Sequence, residues 1–162
     1  TLFNWLMPRL PGARVLDLFA GSGALGLEAV SRGAASALLV ERDPALVAGL
    51  RGVVERLGAA GQVQVAAGDA LRWLETAAPA QADIVFIDPP FAAGLWPQVF
   101  ERLPRHLAAD AWLYVEAPAD AVPQVPAGWR LHREGGTRDV GYALYVRAAA
   151  TLHDDLNATP SA

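Results

Sequence analysis

Short apolar runs recur along the chain between stretches whose apolar residues return every three or four positions, and this alternation predicts a parallel sheet flanked by helices. Strand-like runs fall at Arg14 to Phe19, Ala37 to Glu41, Val63 to Ala67, Asp83 to Asp88, Ala111 to Glu116, Trp129 to Arg133 and Tyr142 to Arg147. Helical spacing covers Leu2 to Leu6, Gly23 to Arg32, Pro44 to Leu57, Ala70 to Ala77 and Trp96 to Leu103, with a short further helix expected at Ala119 to Val122. No long crossover separates the final two strand runs. Gly135-Gly136 is the expected turn between them, so the last strand should return as a hairpin and run antiparallel.

Open parallel sheets bind ligands beyond the carboxyl ends of their strands, so the residues closing each run carry the chemistry. The first run passes through Asp17, Leu18, Phe19 and Ala20 into Gly21-Ser22-Gly23 and then into a helix. Glycines there let the backbone approach a cofactor closely, and Gly26 would let the helix pack tightly on the sheet. Read literally, this is also the G-x-G-x-x-G of dinucleotide-binding proteins, a weak signal in a chain this rich in glycine. Asp17 favours another ligand, because a carboxylate beside the turn repels a pyrophosphate and suits a molecule bearing an ammonium and a sulfonium, such as S-adenosyl-L-methionine. Glu41 ends the second run about twenty residues after the glycine turn, the spacing of a ribose-binding carboxylate. Asp69 follows the third run, where accepting a hydrogen bond from an adenine amino group and capping the next helix are equally good readings.

The fourth run ends in Asp88-Pro89-Pro90-Phe91. An exocyclic amine on a heteroaromatic ring is a poor nucleophile because its lone pair is delocalised. A protein activates it by accepting hydrogen bonds from both N–H groups, and the Asp88 carboxylate with the Pro89 carbonyl offers those two acceptors. The prolines remove competing backbone donors, and Pro90 holds Pro89 extended before any substrate arrives. Phe91 supplies a face on which a base can stack. A strand simply ended by two prolines is the plain reading of such a tetrapeptide alone; the glycine turn and the strand-end carboxylates favour the chemical one.

Together these residues resemble the class I S-adenosylmethionine-dependent methyltransferases and, within them, the bacterial 16S ribosomal RNA guanine-N2 methyltransferases. The likeness covers Thr1-Leu2-Phe3-Asn4-Trp5-Leu6, Val15 to Ala29 and Asp88 to Phe91 in order and spacing, and extends to about Arg147. It implies a Rossmann-like α/β domain over residues 1–147, with a seven-stranded, mostly parallel sheet, its last strand antiparallel, and helices on both faces. By resemblance Asp17, Gly21 and Gly23 line the methionine side of the cofactor, Glu41 holds the ribose, Asp69 and Ala70 flank the adenine, Phe19, Ser22 and Arg42 also bind the cofactor, and Asp88, Pro89, Pro90 and Phe91 receive the guanine. The implied reaction leaves S-adenosyl-L-homocysteine and uses no metal. The implied partner is 16S ribosomal RNA within an assembled or assembling small subunit, with a monomeric enzyme in the cytoplasm. The family's members carry a basic N-terminal extension before the region matched here, so the sequence is expected to be a fragment of a longer chain. A DNA adenine or cytosine amino-methyltransferase, or a non-catalytic RNA-binding module of the same fold, is the alternative reading.

Composition narrows the picture little further. The 162 residues suit one domain, and the absence of cysteine removes disulfides, thiolate metal sites and a cysteine nucleophile. No apolar run is long enough to span a membrane as a helix. A net charge of −4 is unusual for a protein that meets RNA, since phosphate contacts supply most of the nonspecific affinity. All 13 basic residues are Arg. Arg102, Arg105, Arg130, Arg133 and Arg138 form the available patch if the chain itself meets phosphate. His106, His132 and His153 share no metal-ligand spacing and read as surface or structural. Trp5, Trp73, Trp96, Trp112 and Trp129 read mostly as core or partly buried, although Trp96 stands close enough to the tetrapeptide to belong to a substrate loop, and residues 148–162 read as a flexible tail.

Overall fold

The computed structural model describes residues 1–90 and 94–148. Its elements are helix α1 (Leu2–Leu6), strand β1 (Arg14–Asp17), α2 (Ala24–Ser31), β2 (Ser36–Glu41), α3 (Pro44–Arg56), β3 (Val63–Ala67), α4 (Ala70–Thr76), β4 (Ala82–Ile87), α5 (Trp96–Arg102), a 3₁₀ turn at Pro104–His106, β5 (Leu107–Pro118), β6 (Trp129–Gly136) and β7 (Val140–Arg147). The strands form one seven-stranded sheet in the order β3-β2-β1-β4-β5-β7-β6. β1 to β5 are mutually parallel, and β7 runs antiparallel to both of its neighbours.

Near-continuous apolar strands such as Ala82–Ile87 are what a sheet covered on both faces requires. On one face Leu6, Val15, Ala29, Leu39, Leu50, Val54, Ile84 and Phe86 join α1, α2 and α3 to the sheet. On the other, Leu16, Val85, Ile87, Leu74, Val99 and Leu103 bring in α4 and α5. Each fully buried side chain of this size contributes about 1.5–3 kcal/mol. The amino ends of the strands are tied by Arg9, whose guanidinium donates to Asp83 at 2.9 Å and Asp110 at 3.0 Å. Local chemistry sets the helix starts: Asp43 accepts from the N–H groups of Ala45 and Leu46 ahead of Pro44, and Asp69 accepts from Arg72.

Three expectations are corrected. Residues Ala119 to Val122 form no helix; the chain turns after β5, with Ala121 N–H bonded to the Pro118 carbonyl, and then runs irregularly past Pro123 and Pro126. Gly135 and Gly136 lie inside β6, and the hairpin turn is Thr137–Asp139, closed by Thr137 N–H on Val140 O at 2.8 Å and by the Thr137 hydroxyl accepting from Val140 N–H at 3.2 Å. A side chain at Gly135 would strike the Tyr142 ring at 2.7 Å, so its glycine makes room across the pair and does not bend the chain. Trp96 is buried in the α4–α5 face against Phe100, with centroids 5.8 Å apart, so it is core and not a substrate loop.

Candidate active site

A cavity of about 770 Å³ opens at the carboxyl ends of β1, β2, β3 and β4, lined by Asp17 to Ser22, Val40 to Asp43, Gly68 to Leu71, Asp88 and Pro90, with Leu25, Leu46 and Leu95 among its apolar walls. Such a volume suits a nucleoside-sized ligand. Of the residues singled out in the sequence, Asp17, Phe19, Gly21, Ser22, Glu41, Arg42, Asp69, Ala70, Asp88 and Pro90 all line this one space. Gly23 and Pro89 stand beside the lining, both buried. Phe91 lies outside the described residues.

The floor is built by the glycine turn. Gly21 and Gly23 have φ of +57° and +80°, the left-handed region that favours glycine. Gly23 N–H bonds the Ala20 carbonyl at 2.8 Å, and a side chain there would meet Leu50 at 2.5 Å. A side chain at Gly26 would run into Leu39, so Gly26 seats α2 on β2. Glu41 spans this floor: one carboxylate oxygen accepts from Gly21 N–H and the other from Asp43 N–H, both at 2.9 Å. Each oxygen keeps a second lone pair for a ligand hydroxyl. Asp69 caps α4 through one oxygen at 3.1 Å, and as it lines the cavity its capping role leaves the other oxygen for a ligand.

Two carboxyls are strongly perturbed. Asp17 is 2 % exposed, and burial, opposed by a hydrogen bond from Phe19 N–H and reinforced by the charges of Asp88 and Glu41, lifts it to about 7. Its Oδ1 is buried without a hydrogen-bond partner. An orphaned carboxylate oxygen facing a ligand-sized space is suited to a cation. Asp88 sits on the outer rim, exposed, and is raised to about 6 by its partial burial and then by the neighbouring Glu116. Sequence reasoning missed Glu116 and its hydrogen-bonded partner Tyr114. The available signal was positional: Glu116 was expected to end its strand as Asp88 was expected to end β4. It also missed Gly68, whose N–H bonds the Glu41 carbonyl at 2.9 Å.

The supposed arginine patch is partly spent. Arg105 donates to the Leu74 and Glu75 carbonyls at 2.9 and 3.1 Å, and Arg102 to Leu71 O at 3.4 Å, closing the end of α4. Arg130, Arg133 and Arg138 are exposed on β6 and its turn. His106 is buried, its Nε2 within 2.8 Å of the Leu74 carbonyl. Among the described residues no group of three or more His, Asp or Glu is arranged to hold a metal ion. Among them, too, no helix is long and apolar enough to cross a membrane.

The strand order, the antiparallel β7 and a cavity over the glycine turn define a Rossmann-like class I methyltransferase fold. A family model described as "Conserved hypothetical protein 95" matches residues 1–146, and the chain belongs to that family of methyltransferases. It is 45 % identical over 152 residues to ribosomal RNA small subunit methyltransferase D of Escherichia coli strain K12, covering 92 % of this chain and 76 % of that one. A solved Escherichia coli structure described as a candidate methyltransferase superposes with a TM-score of 0.85 at 44 % identity, covering 91 % of this chain and 83 % of the other. A candidate methylase from Haemophilus influenzae superposes with a TM-score of 0.81 at 37 % identity, over 91 % and 94 % of the two chains.

Proposed function

We propose that this chain transfers a methyl group from S-adenosyl-L-methionine to the exocyclic N2 amino group of a guanine in 16S ribosomal RNA, within an assembled or assembling small subunit in the cytoplasm. The observation that carries the reading is the meeting, around one cavity, of the orphaned Asp17 oxygen, the glycine turn, Glu41, Asp69 and the Asp88-Pro89-Pro90 strand end. The naming of the Escherichia coli relative adds the RNA. Residues 1–147 form the catalytic domain on this reading, acting as a monomer.

The residues present fit the cofactor. Asp17 offers a charge to its ammonium, the Gly21 turn a close backbone, Glu41 two acceptors for ribose hydroxyls, and Asp69 with Ala70 a flank for the adenine. When bound, S-adenosyl-L-methionine supplies an electrophilic methyl and leaves as S-adenosyl-L-homocysteine, with no metal required. Asp88 and the Pro89 carbonyl accept the two amine N–H groups, fix the nitrogen's direction and favour its pyramidal form. A carboxyl near pH 6 is mostly ionised at neutral pH and close enough in basicity to take a proton afterwards.

Labelled methyl transfer by the full-length protein to unmodified small subunits, naked ribosomal RNA and duplex DNA tests the reading. N2-methylguanine in the subunit or its RNA is the expected product. Label confined to DNA, or none anywhere, overturns it. In the same assay Asp88→Ala should abolish transfer while leaving S-adenosyl-L-homocysteine affinity nearly intact; equal losses of both would contradict the division of roles.

A further inference from the structure

We propose that Glu116 is a positioning residue for the reaction, sharing a proton with Asp88 across the ends of β4 and β5 and so tuning the carboxyl that receives the amine. The inference rests on the methyl-transfer reading above and deepens it.

The geometry comes from register. β4 and β5 pair Phe86 with Tyr114 and Ile87 with Val115, and continuing that register sets Asp88 beside Glu116. β7 then places Tyr142 beside Glu116 and Leu144 beside Tyr114. Because side chains alternate, Phe86 and Asp88 share a face with Tyr114 and Glu116. Adjacent positions on paired strands lie about 5 Å apart, so the two carboxyls are close neighbours, and the charge of Glu116 acts on Asp88. Two ionised carboxylates have no donor between them, so a hydrogen bond within the pair requires a shared proton.

Glu116 is itself held. The Tyr114 hydroxyl donates to its Oε2 at 3.1 Å, and the Tyr114 ring is 5 % exposed and edge-on to Phe86 at 6.0 Å. Burial and the charges of Glu116 and Asp88 push that phenol well above its usual range, so it remains a donor at working pH. The groups facing the pair are Asp17 from β1, Tyr114 from β5 and Tyr142 from β7. Acids and phenols thus neighbour Asp88, and after partial burial the charge of Glu116 is what raises its basicity.

In the step itself the amine lone pair forms the new N–CH₃ bond, the S–CH₃ bond breaks with its pair going to sulfur, and one N–H proton passes to the Asp88–Glu116 pair and on to water. A more basic Asp88 takes that proton more readily.

Carboxyl-selective ¹³C NMR titration of the full-length protein decides the matter without substrate, alongside the pH profile of kcat on small subunits. Glu116→Gln removes the like charge at nearly constant shape. The Asp88 midpoint is expected to fall by about one pH unit, with the acidic limb of kcat moving in step. Tyr114→Phe frees Glu116 to turn away and should move both in the same direction by less. Unchanged S-adenosyl-L-homocysteine affinity identifies a folded variant. An Asp88 midpoint that stays in place in Glu116→Gln overturns the shared proton, and a midpoint that moves while the acidic limb stays overturns its part in transfer. Absence of transfer by the unaltered protein defeats the substrate reading instead, and the titration still decides the carboxyl pair.

Discussion

Burial lifts the Asp17 carboxyl to about 7, so the same side chain governs stability and ligand binding with opposite preferences. Folding favours its protonated form. The stability it contributes is complete below the unfolded value of 3.8, is lost as pH rises toward 7, and stays lost above. A shift of this size corresponds to at most about 4 kcal/mol, so Asp17→Asn should stabilise the protein by up to that amount at pH 8 and hardly at all at pH 4, as chemical denaturation would read. A cofactor ammonium favours the ionised form instead. S-adenosyl-L-homocysteine affinity in the unaltered protein should therefore rise with pH until about 7 and then level off. In Asp17→Asn calorimetry should find that dependence gone and affinity at pH 8 reduced roughly 10- to 100-fold, the worth of a charged hydrogen bond. A more stable protein that binds less well is the signature of a site residue; loss of both would mark Asp17 as structural.

At the scale of elements, the glycine turn, Glu41 and the helix caps form one device, because Glu41 joins the start of α2 to the start of α3 through Gly21 and Asp43. Glu41→Ala should weaken cofactor binding chiefly, and an unchanged dissociation constant would refute its ribose role. Asp69 separates two readings that the sequence left equal. Its capping bond to Arg72 predicts that Asp69→Ala costs about 1 kcal/mol of stability. A parallel loss of S-adenosyl-L-homocysteine affinity is expected from its place on the cavity wall, and unchanged affinity would reduce it to a cap. Gly26→Ala should cost about 1–3 kcal/mol, because its methyl overlaps the fully buried side chain of Leu39. Most of these elements were legible beforehand. Asp43 before Pro44 and Asp69 before Ala70 are local starting signals, and the apolar runs of β1 to β4 are short and bounded. The misreadings came where a local rule met a distant contact: Gly135-Gly136 looked like a turn and instead clears the Tyr142 ring, and Trp96 looked like part of a substrate loop and instead packs on Phe100.

For the whole molecule, four strand ends converge on one cavity that leaves a ligand contacting β1, β2, β3 and β4 at once. Binding only to the folded state, S-adenosyl-L-homocysteine at 100 times its dissociation constant should add about 2.7 kcal/mol, raising the melting temperature by roughly 5–10 °C. Thermal scans with and without it provide the measurement, and an unmoved midpoint would argue against the cavity as the cofactor site. Charge acts at this scale as well. With Arg102 and Arg105 committed to the end of α4, Arg130, Arg133 and Arg138 on the β6–β7 hairpin are the members of the expected patch left free to meet phosphate. If that patch carries the phosphate contacts, association with RNA should weaken only modestly with added salt.

The sequence by itself determined the succession of strands and helices, the glycine turn, and the carboxylates and prolines at the strand ends. These depend on apolar period, on the freedom of glycine and the rigidity of proline, and on caps that reach only a few residues along the chain. Tertiary structure alone decided which strand ends are neighbours, and so that Glu116 lies near Asp88, that Asp17 is buried with an unpartnered oxygen, and that two arginines are consumed within the fold. Strand order, register and desolvation are sums over the whole chain, and no local pattern carries them.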